Sequence, residues 1–400
     1  MKTYTVRLLP TNEQIEEFKK LSLIRNKLWN ILIDIQNKEY ETNKNILHNY
    51  ELDKKVTLIR KENNFELLFV RACQQITKEI FSSYKSFFKL KKKDKKAKPP
   101  TFIENVNNFH TIVYNSLGYK INSDSELTLN GIKVKYKSHL SLKDYKINEV
   151  KLKFINNKWL LDIVINDKPL KNENLSDNTL AIDLGLKCLG TGIDNQSNII
   201  TIKNKAKLIS KYYKKQIGKV QQKLSTKIKD SNRYKHLKKV LNKLYHKKNK
   251  QVKQTLHIQS NELLNMNYKT IVVGDLSVKK LMENEKNKYS KISKSFHDSN
   301  VTMFVDMLMY KSYFYGTEII KINEHNTTQM NSLTGELFKE KVKLSDRLVK
   351  LNDEIEIDRD LNSAINILNK YFNKQIGEIT HPLVYTNVIE NYNFSMNQYI

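Results

Sequence analysis

Cysteine, proline and glycine are scarce in this 400-residue chain, at two, five and ten residues respectively. The two thiols, Cys73 and Cys188, each lie among apolar neighbours. They exclude a disulfide-stapled secreted scaffold, leave no cysteine pair for a zinc knuckle, and read as buried thiols of a reducing compartment. So little proline and glycine excludes collagenous and loop-dominated architectures and favours long helices. No apolar run approaches the roughly 20 residues of a membrane span, and residues 1–7 lack the apolar core of a signal peptide. A soluble, cytoplasmic protein with no membrane partner is expected. Acids are short too: 42 Asp+Glu stand against 70 Lys+Arg, a formal charge of +28. That balance argues against an ordinary metabolic enzyme and for a polyanionic partner. A hydrophobic content of 39% with 10% aromatics excludes a disordered basic tail, and the length predicts two or three domains.

Residues 3–9 alternate like a short strand and stop at Pro10. Thr11 can cap a helix carrying Ile15, Phe18, Leu21 and Ile24, and helical spacing persists to about residue 90. Its clearest part, 67–88, places Val70, Ile76, Ile80, Tyr84 and Phe87 on one stripe. The lysine run that follows (Lys91, Lys92, Lys93, Lys95, Lys96) reads either as a solvated linker or as a phosphate contact. From 102 to 167 the period falls to two, predicting a small antiparallel β domain that strand 3–9 could join, with the helices as an insertion. After a Lys/Asn-rich linker at 168–178, a buried strand ends at Asp183 and Gly185. Strands near 188–192 and 199–202 follow, then a pair of lysine-rich helices over 206–266. A strand at 270–273, a helix near 304–315 and a strand at 318–322 come next. A polar segment spans 324–357, and a last helix opens at Asp358-Arg359-Asp360.

A three-strand meander, helices, a fourth strand and a late helix opening with an acid match the order of a ribonuclease-H-type nuclease. Such a fold holds two divalent metals roughly 3.5–4 Å apart between carboxylates that converge from distant elements. Asp183 and Asp360 stand where two of those acids belong. Singly, each has a plainer reading, as a strand-end turn residue and as an acid favouring the helix dipole; together they favour a remnant active site.

The chain resembles TnpB, the transposon-encoded RNA-guided nuclease. The resemblance rests on Arg7-Leu8-Leu9-Pro10-Thr11-Asn12-Glu13-Gln14 and Ile182-Asp183-Leu184-Gly185-Leu186-Lys187. It continues through Ile271-Val272-Val273-Gly274-Asp275-Leu276 and Thr327-Thr328-Gln329-Met330 to Asp358-Arg359-Asp360-Leu361-Asn362-Ser363-Ala364-Ile365-Asn366-Ile367. It implies a multidomain α+β and α/β protein. A wedge domain like a β-barrel (1–10 and 100–170) would carry an inserted helical recognition lobe (11–99). An RNase H-like RuvC domain (178–370) would follow, with a degenerate zinc-ribbon insertion (324–357) and a C-terminal tail (371–400).

Two departures shape the functional expectation. Where the family's fourth strand carries a metal-binding Glu, this chain has Gly274; the adjacent Asp275 should face the opposite side of the strand, unless a bulge re-aims it. Where the family has two Cys-x-x-Cys pairs, the matching positions are Asn331, Thr334, Lys350 and Asp353. They offer no tetrahedral thiolate or imidazole set, and His325 stands alone. The pattern resembles the nuclease-dead repressors called TldR. The expectation is therefore an RNA-guided, nuclease-inactive repressor that forms an R-loop beside a short DNA motif. Its partners would be a guide RNA and target duplex DNA, with no zinc and no catalytic Mg²⁺ pair, in a monomeric ribonucleoprotein. The rival readings are an active nuclease using Asp275 or Glu283, and a protein that binds only its own transcript.

By the same resemblance, Arg71, Gln74, Gln75 and Lys78 lie on the helix beside the DNA motif, where Gln suits adenine and Arg suits guanine; a plain amphipathic face is the alternative. Asn107, Asn108 and Thr111 join them from the wedge domain. Lys214, Lys215, Lys238 and Lys239 on the long helices are expected on phosphates, and Tyr212, Tyr213 and Tyr234 either stack on bases or pack between helices. In 324–357, Leu333, Leu337, Phe338, Val342, Leu344 and Leu348 favour packing, as a loop or a short helix, over full disorder.

Overall fold

The computed structural model describes residues 2–376 apart from 116, 140, 167–174, 186, 276–299 and 344. Glu283, Leu186, Leu276, Leu344 and the tail from 377 therefore lie outside the described residues. The chain divides after residue 167 into two compact units.

In the first unit, β1 (Lys2–Leu9) leads into α1 (Asn12–Asn43). Thr11 starts that helix with a capping box: Gln14 N donates to Thr11 Oγ1 at 3.3 Å, and Thr11 N donates to Gln14 Oε1 at 2.9 Å, satisfying two otherwise orphaned groups. Helices α2 (Asn49–Glu62) and α3 (Val70–Lys91) follow. Then come β2 (Ile112–Asn115), β3 (Tyr119–Ile121), β4 (Glu126–Leu129), β5 (Ile132–Lys137), β6 (Ile147–Ile155) and β7 (Lys158–Ile165). The seven strands are ordered β2-β6-β7-β1-β5-β4-β3 in a nearly closed, barrel-like sheet. β1 pairs antiparallel with both β7 and β5, so the first strand sits inside the sheet and the helices are inserted between it and its partners. Val6 and Leu8 point into the core, where Ile76, Ile80, Tyr84 and Phe87 of α3 join them. Val70 departs from the expected stripe: at the first turn of α3 it is 45% exposed.

The second unit opens with β8 (Ser176–Leu184), β9 (Cys188–Asp194) and β10 (Ile199–Lys203), followed by α4 (Lys205–Ser225), α5 (Asn232–Leu264) and β11 (Tyr268–Gly274). It continues with α6 (Val301–Tyr315), β12 (Glu318–Ile322), β13 (Leu348–Lys350), β14 (Glu356–Asp358) and α7 (Arg359–Ile376). The sheet order is β10-β9-β8-β11-β12, antiparallel through the meander and parallel across β8, β11 and β12. This is a RuvC-type arrangement. Strand alternation sorts the two faces: Leu180, Ile182, Ile271 and Val273 pack with Leu256, Phe304 and Leu308 of α5 and α6. Ala181 and Val272 pack with Leu361, Ala364, Ile365 and Leu368 of α7. Gly192 permits close strand packing, since a Cβ there would lie 2.9 Å from Ala181 O.

The segment 324–357 holds no helix among its described residues. It forms a bridge between Met330 and Leu337 and the β13–β14 hairpin, with Leu333, Phe338 and Val342 against the α7 core. Leu337 and Leu348 are instead exposed, at 57% and 48%. Two asparagines of α7 stitch it down. Asn362 Nδ2 donates to Met330 O at 2.8 Å, and Asn366 Nδ2 donates to Thr327 O and Met330 O at 2.8 and 2.7 Å.

Candidate active site

Asp183 lies on the face of β8 that looks toward α7, two residues beyond Ala181. The parallel register sets Val273 of β11 against Ile182, which places Gly274 beside Asp183, where a side chain would project to the same side. β12 completes the ladder, with Ile322 opposite Gly274 and on the α7 side. Two residues further, Glu324 folds back over Gly274. A Cβ built on Gly274 would stand 2.8 Å from Glu324 Oε1 and 2.9 Å from its Cδ. The space vacated by the missing side chain at 274 is thus filled by a carboxylate from the next strand.

Among the described residues, the Glu324 Oε1 atom is buried without a hydrogen-bond partner. Burial, and after it the charge of Asp275, pushes this carboxyl up to about 7, because a crowded, water-poor site disfavours the charged form. Asp183 is pushed far above the usual carboxylate range by burial first, then by the charges of Glu324 and Asp360, with Arg359 opposing. Asp358 takes the capping duty at the start of α7: its Oδ1 accepts from Asp360 N at 2.8 Å and Leu361 N at 3.3 Å. The Asp360 carboxylate is therefore not spent on the cap. It meets Arg359 Nη2 at 3.1 Å and Arg347 Nη1 at 3.5 Å.

Asp183, Glu324 and Asp360 thus converge from β8, the end of β12 and the start of α7. Among the described residues no three acidic, histidine or cysteine side chains close tightly enough to cage one ion. The donor chemistry nonetheless fits divalent cations: hard oxygen ligands, mutual repulsion that a bound cation would relieve, and one buried oxygen with no partner among the described residues.

The sequence reads as having lost the acid at 274, and the rival nuclease reading offers Asp275 or Glu283 as a substitute. Asp275 is exposed and its backbone N continues the ladder by donating to Ile322 O at 2.7 Å; Glu283 lies outside the described residues. Glu324 was missed. The signal for it is an acid two residues past a strand that pairs in parallel with the strand carrying the glycine.

The degenerate zinc-ribbon reading of 324–357 finds no support. Asn331 instead links the two halves by hydrogen bonds, its Nδ2 donating to Leu351 O at 2.8 Å and its Oδ1 accepting from Leu333 N at 2.9 Å. Thr334 Oγ1 accepts from Glu336 N at 3.3 Å, while Lys350 and Asp353 are exposed.

Of the residues put forward for reading DNA, Arg71 and Lys78 are exposed on α3, with Gln74 and Gln75 half-buried between them. Arg71 Nη1 donates to Gln74 Oε1 at 3.1 Å. Asn107 and Asn108 are exposed and Thr111 is half-buried. Their segment is tied to α1 rather than α3, with Asn26 Nδ2 donating to Asn108 O at 2.9 Å. Lys91, Lys92, Lys93, Lys95 and Lys96 are exposed at and beyond the end of α3, as are Lys214, Lys215, Lys238 and Lys239 on α4 and α5. Tyr212 is 61% exposed, Tyr213 is buried and Tyr234 is half-buried.

Three family profiles match in order along the chain. A helix-turn-helix domain of the OrfB_IS605 type matches 1–45, a probable OrfB_IS605 transposase matches 162–285, and a Cas12f1-like TNB domain matches 302–367. In this chain the first stretch folds as a strand and one unbroken helix. The TnpB-like proteins L79 and L770 of Acanthamoeba polyphaga mimivirus are each 29% identical over 209 residues, covering 50% of this chain. The match takes in only 38% of the length of either relative. Among solved structures, the protein of a Cas12f1–sgRNA–target DNA complex shares the fold. Its TM-score is 0.61 at 15% identity, over 89% of this chain and 83% of that one. No described helix is long and apolar enough to cross a membrane. The profiles, the mimiviral relatives and the RuvC-type sheet agree in likening this chain to the TnpB proteins.

Proposed function

We propose that this chain is an RNA-guided DNA endonuclease of the TnpB type whose second metal-binding acid is Glu324 in place of a side chain at 274. The observation that carries the reading is the Glu324 carboxylate lying within 2.8 Å of where the Gly274 Cβ would stand, on the face shared with Asp183. Asp183, Glu324 and Asp360 would hold the divalent pair, which when bound clamps the attacking and leaving oxygens of a phosphodiester. Arg359 and Arg347 balance Asp360 in the meantime, and the sheet fixes Asp183 in register. The lysines of α4 and α5 supply phosphate contacts that carry no sequence information. The guide RNA reads the target by base pairing, and the protein reads a short duplex motif, for which Arg71, Gln74, Gln75, Lys78, Asn107, Asn108 and Thr111 are the candidates.

A second reading, a nuclease-inactive repressor of the TldR kind that occupies DNA as a monomeric ribonucleoprotein, is favoured by one observation. Asp360 is engaged by two guanidinium groups. Incubation of the guide-loaded protein with a matched supercoiled plasmid in Mg²⁺ or Mn²⁺ separates the two. Linear product that disappears in both Asp183→Ala and Glu324→Gln supports the nuclease. Guided binding with no product from the native protein supports the repressor.

A further inference from the structure

A groove of about 1010 Å³ opens in the first unit between α1, the later turns of α3 and the segment 98–110. We propose that it binds unpaired nucleobases of a single-stranded RNA, with the adjoining lysine run taking the phosphates. The proposal rests on the reading of this chain as a nucleic-acid-binding protein and adds where a single strand is held.

The walls are preformed. The segment 101–110 has neither strand nor helix, yet side chains of α1 satisfy its backbone. Asn30 Oδ1 accepts from Ile103 N at 2.7 Å, Asn26 Nδ2 donates to Val106 O at 2.8 Å, and Ser22 Oγ accepts from His110 N at 2.9 Å. Trp29 is pinned at its edge, where Nε1 donates to Thr101 O at 3.2 Å, and Arg25 lies over its ring at 4.9 Å. Arg25 is held in turn by Glu79 at 3.0 Å. A ring fixed this way costs little further entropy on binding.

The lining separates bases from phosphates. Trp29 and the 48%-exposed Phe102 supply aromatic surface, and Ser82, Ser86 and Asn108 supply hydrogen-bonding groups for base edges. Glu104 also lines the groove and disfavours a phosphate inside it. Arg25, inside, is neutralised by Glu79, and the other cations adjoin the groove: Lys98 on the wall, then Lys91, Lys92, Lys93, Lys95 and Lys96 in the run before it, all exposed. Aromatic platforms beside a cationic track are what sequence-tolerant single-strand binding requires, since every base has a stacking face.

The chain carries its own reporter. Of its two tryptophans, Trp159 is buried, at 6% exposure, and Trp29 lines the groove. Guide-free full-length protein is titrated without divalent metal against single-stranded dodecauridylate, a 12-base-pair RNA duplex and inorganic polyphosphate. The single strand is expected to quench tryptophan emission, with the quench absent in Trp29→Phe, while polyphosphate binds without it. Phe102→Ala, at an exposed position, keeps the reporter and the melting temperature and weakens binding about ten-fold, the size of one lost base–aromatic stack. Saturating binding without quenching, or equal quenching by duplex or polyphosphate, overturns the proposal. Because no guide, target or metal enters the titration, a protein that quenches but does not cleave refutes the nuclease reading alone.

Discussion

Glu324→Gln makes the candidate site report on itself. Burial and the nearby charge of Asp275 raise the Glu324 carboxyl from 4.5 to about 7. The folded protein therefore keeps a proton that the unfolded chain has already released between those two values. Stability of the metal-free protein then falls as pH rises from about 4.5 to about 7, and the penalty stays in full above that range. A displacement of about 2.5 units corresponds to roughly 3 kcal/mol at 1.36 kcal/mol per unit. Gln removes the charge but leaves a buried amide, costing about 1 kcal/mol, so the net gain is about 2 kcal/mol. At roughly 2–4 °C per kcal/mol for a unit of 150–250 residues, its transition should rise by about 4–8 °C at pH 8 in chelator. Near pH 5 the native and substituted proteins should melt together. Thermal unfolding at both pH values, with near-UV circular dichroism, measures the difference. A destabilised Glu324→Gln protein at pH 8, or a gap that persists at pH 5, refutes the claim that a strained, unneutralised carboxylate occupies this space.

The same geometry predicts a positional swap: Gly274→Ala should cut guided plasmid cleavage at least ten-fold by pressing on Glu324. Gly274→Glu combined with Glu324→Ala should cleave faster than either single variant. Affinity of the guide-free protein for nucleic acid should fall by about 10³–10⁵ between 50 and 200 mM salt if six to ten phosphates are neutralised; a flat response in filter binding would show that the +28 charge is not the binding surface. Asn366→Leu strands the carbonyl of Thr327, while Met330 O keeps Asn362 Nδ2, and should cost about 1–3 kcal/mol by denaturant titration. Removing zinc selectively, with Mg²⁺ kept in excess, should leave the native protein's melting unchanged, because hydrogen bonds hold the segment 324–357 to α7.

Much of the architecture was legible because local and global signals agree in it. The alternation of residues 3–9 is visible without knowing its partners. Its place between β7 and β5 was not legible, because an edge strand can face Val6 and Leu8 inward just as well. The stripe of α3 was legible from Ile76 to Phe87 and failed at Val70, since periodicity does not say where a helix leaves its core. The segment 324–357 was less legible. Its order comes from asparagines on α7, and Asn362 and Asn366 look in the sequence like polar filler on an apolar helix. Only the fold brings Met330 and Thr327 to them.

Asp183 and Asp360 could be put forward from the sequence because each occupies an expected end of an expected element. Glu324 could not, for a physical reason. A position-by-position reading asks what stands at 274 and finds a glycine. The proposed metal centre makes a different demand, that negative charge fill a certain volume beside Asp183, and it is indifferent to which strand delivers it. In parallel strands the neighbour's carboxyl end lies alongside, so a residue beyond β12 can reach the space above the end of β11. That reach is open only because Gly274 has no Cβ, which would otherwise sit 2.8 Å from Glu324 Oε1. In the proposed site, the glycine that looks like the loss of an acid is thus the condition for Glu324 to occupy that space. Restoring a side chain at 274 and keeping Glu324 should therefore be worse than either arrangement alone.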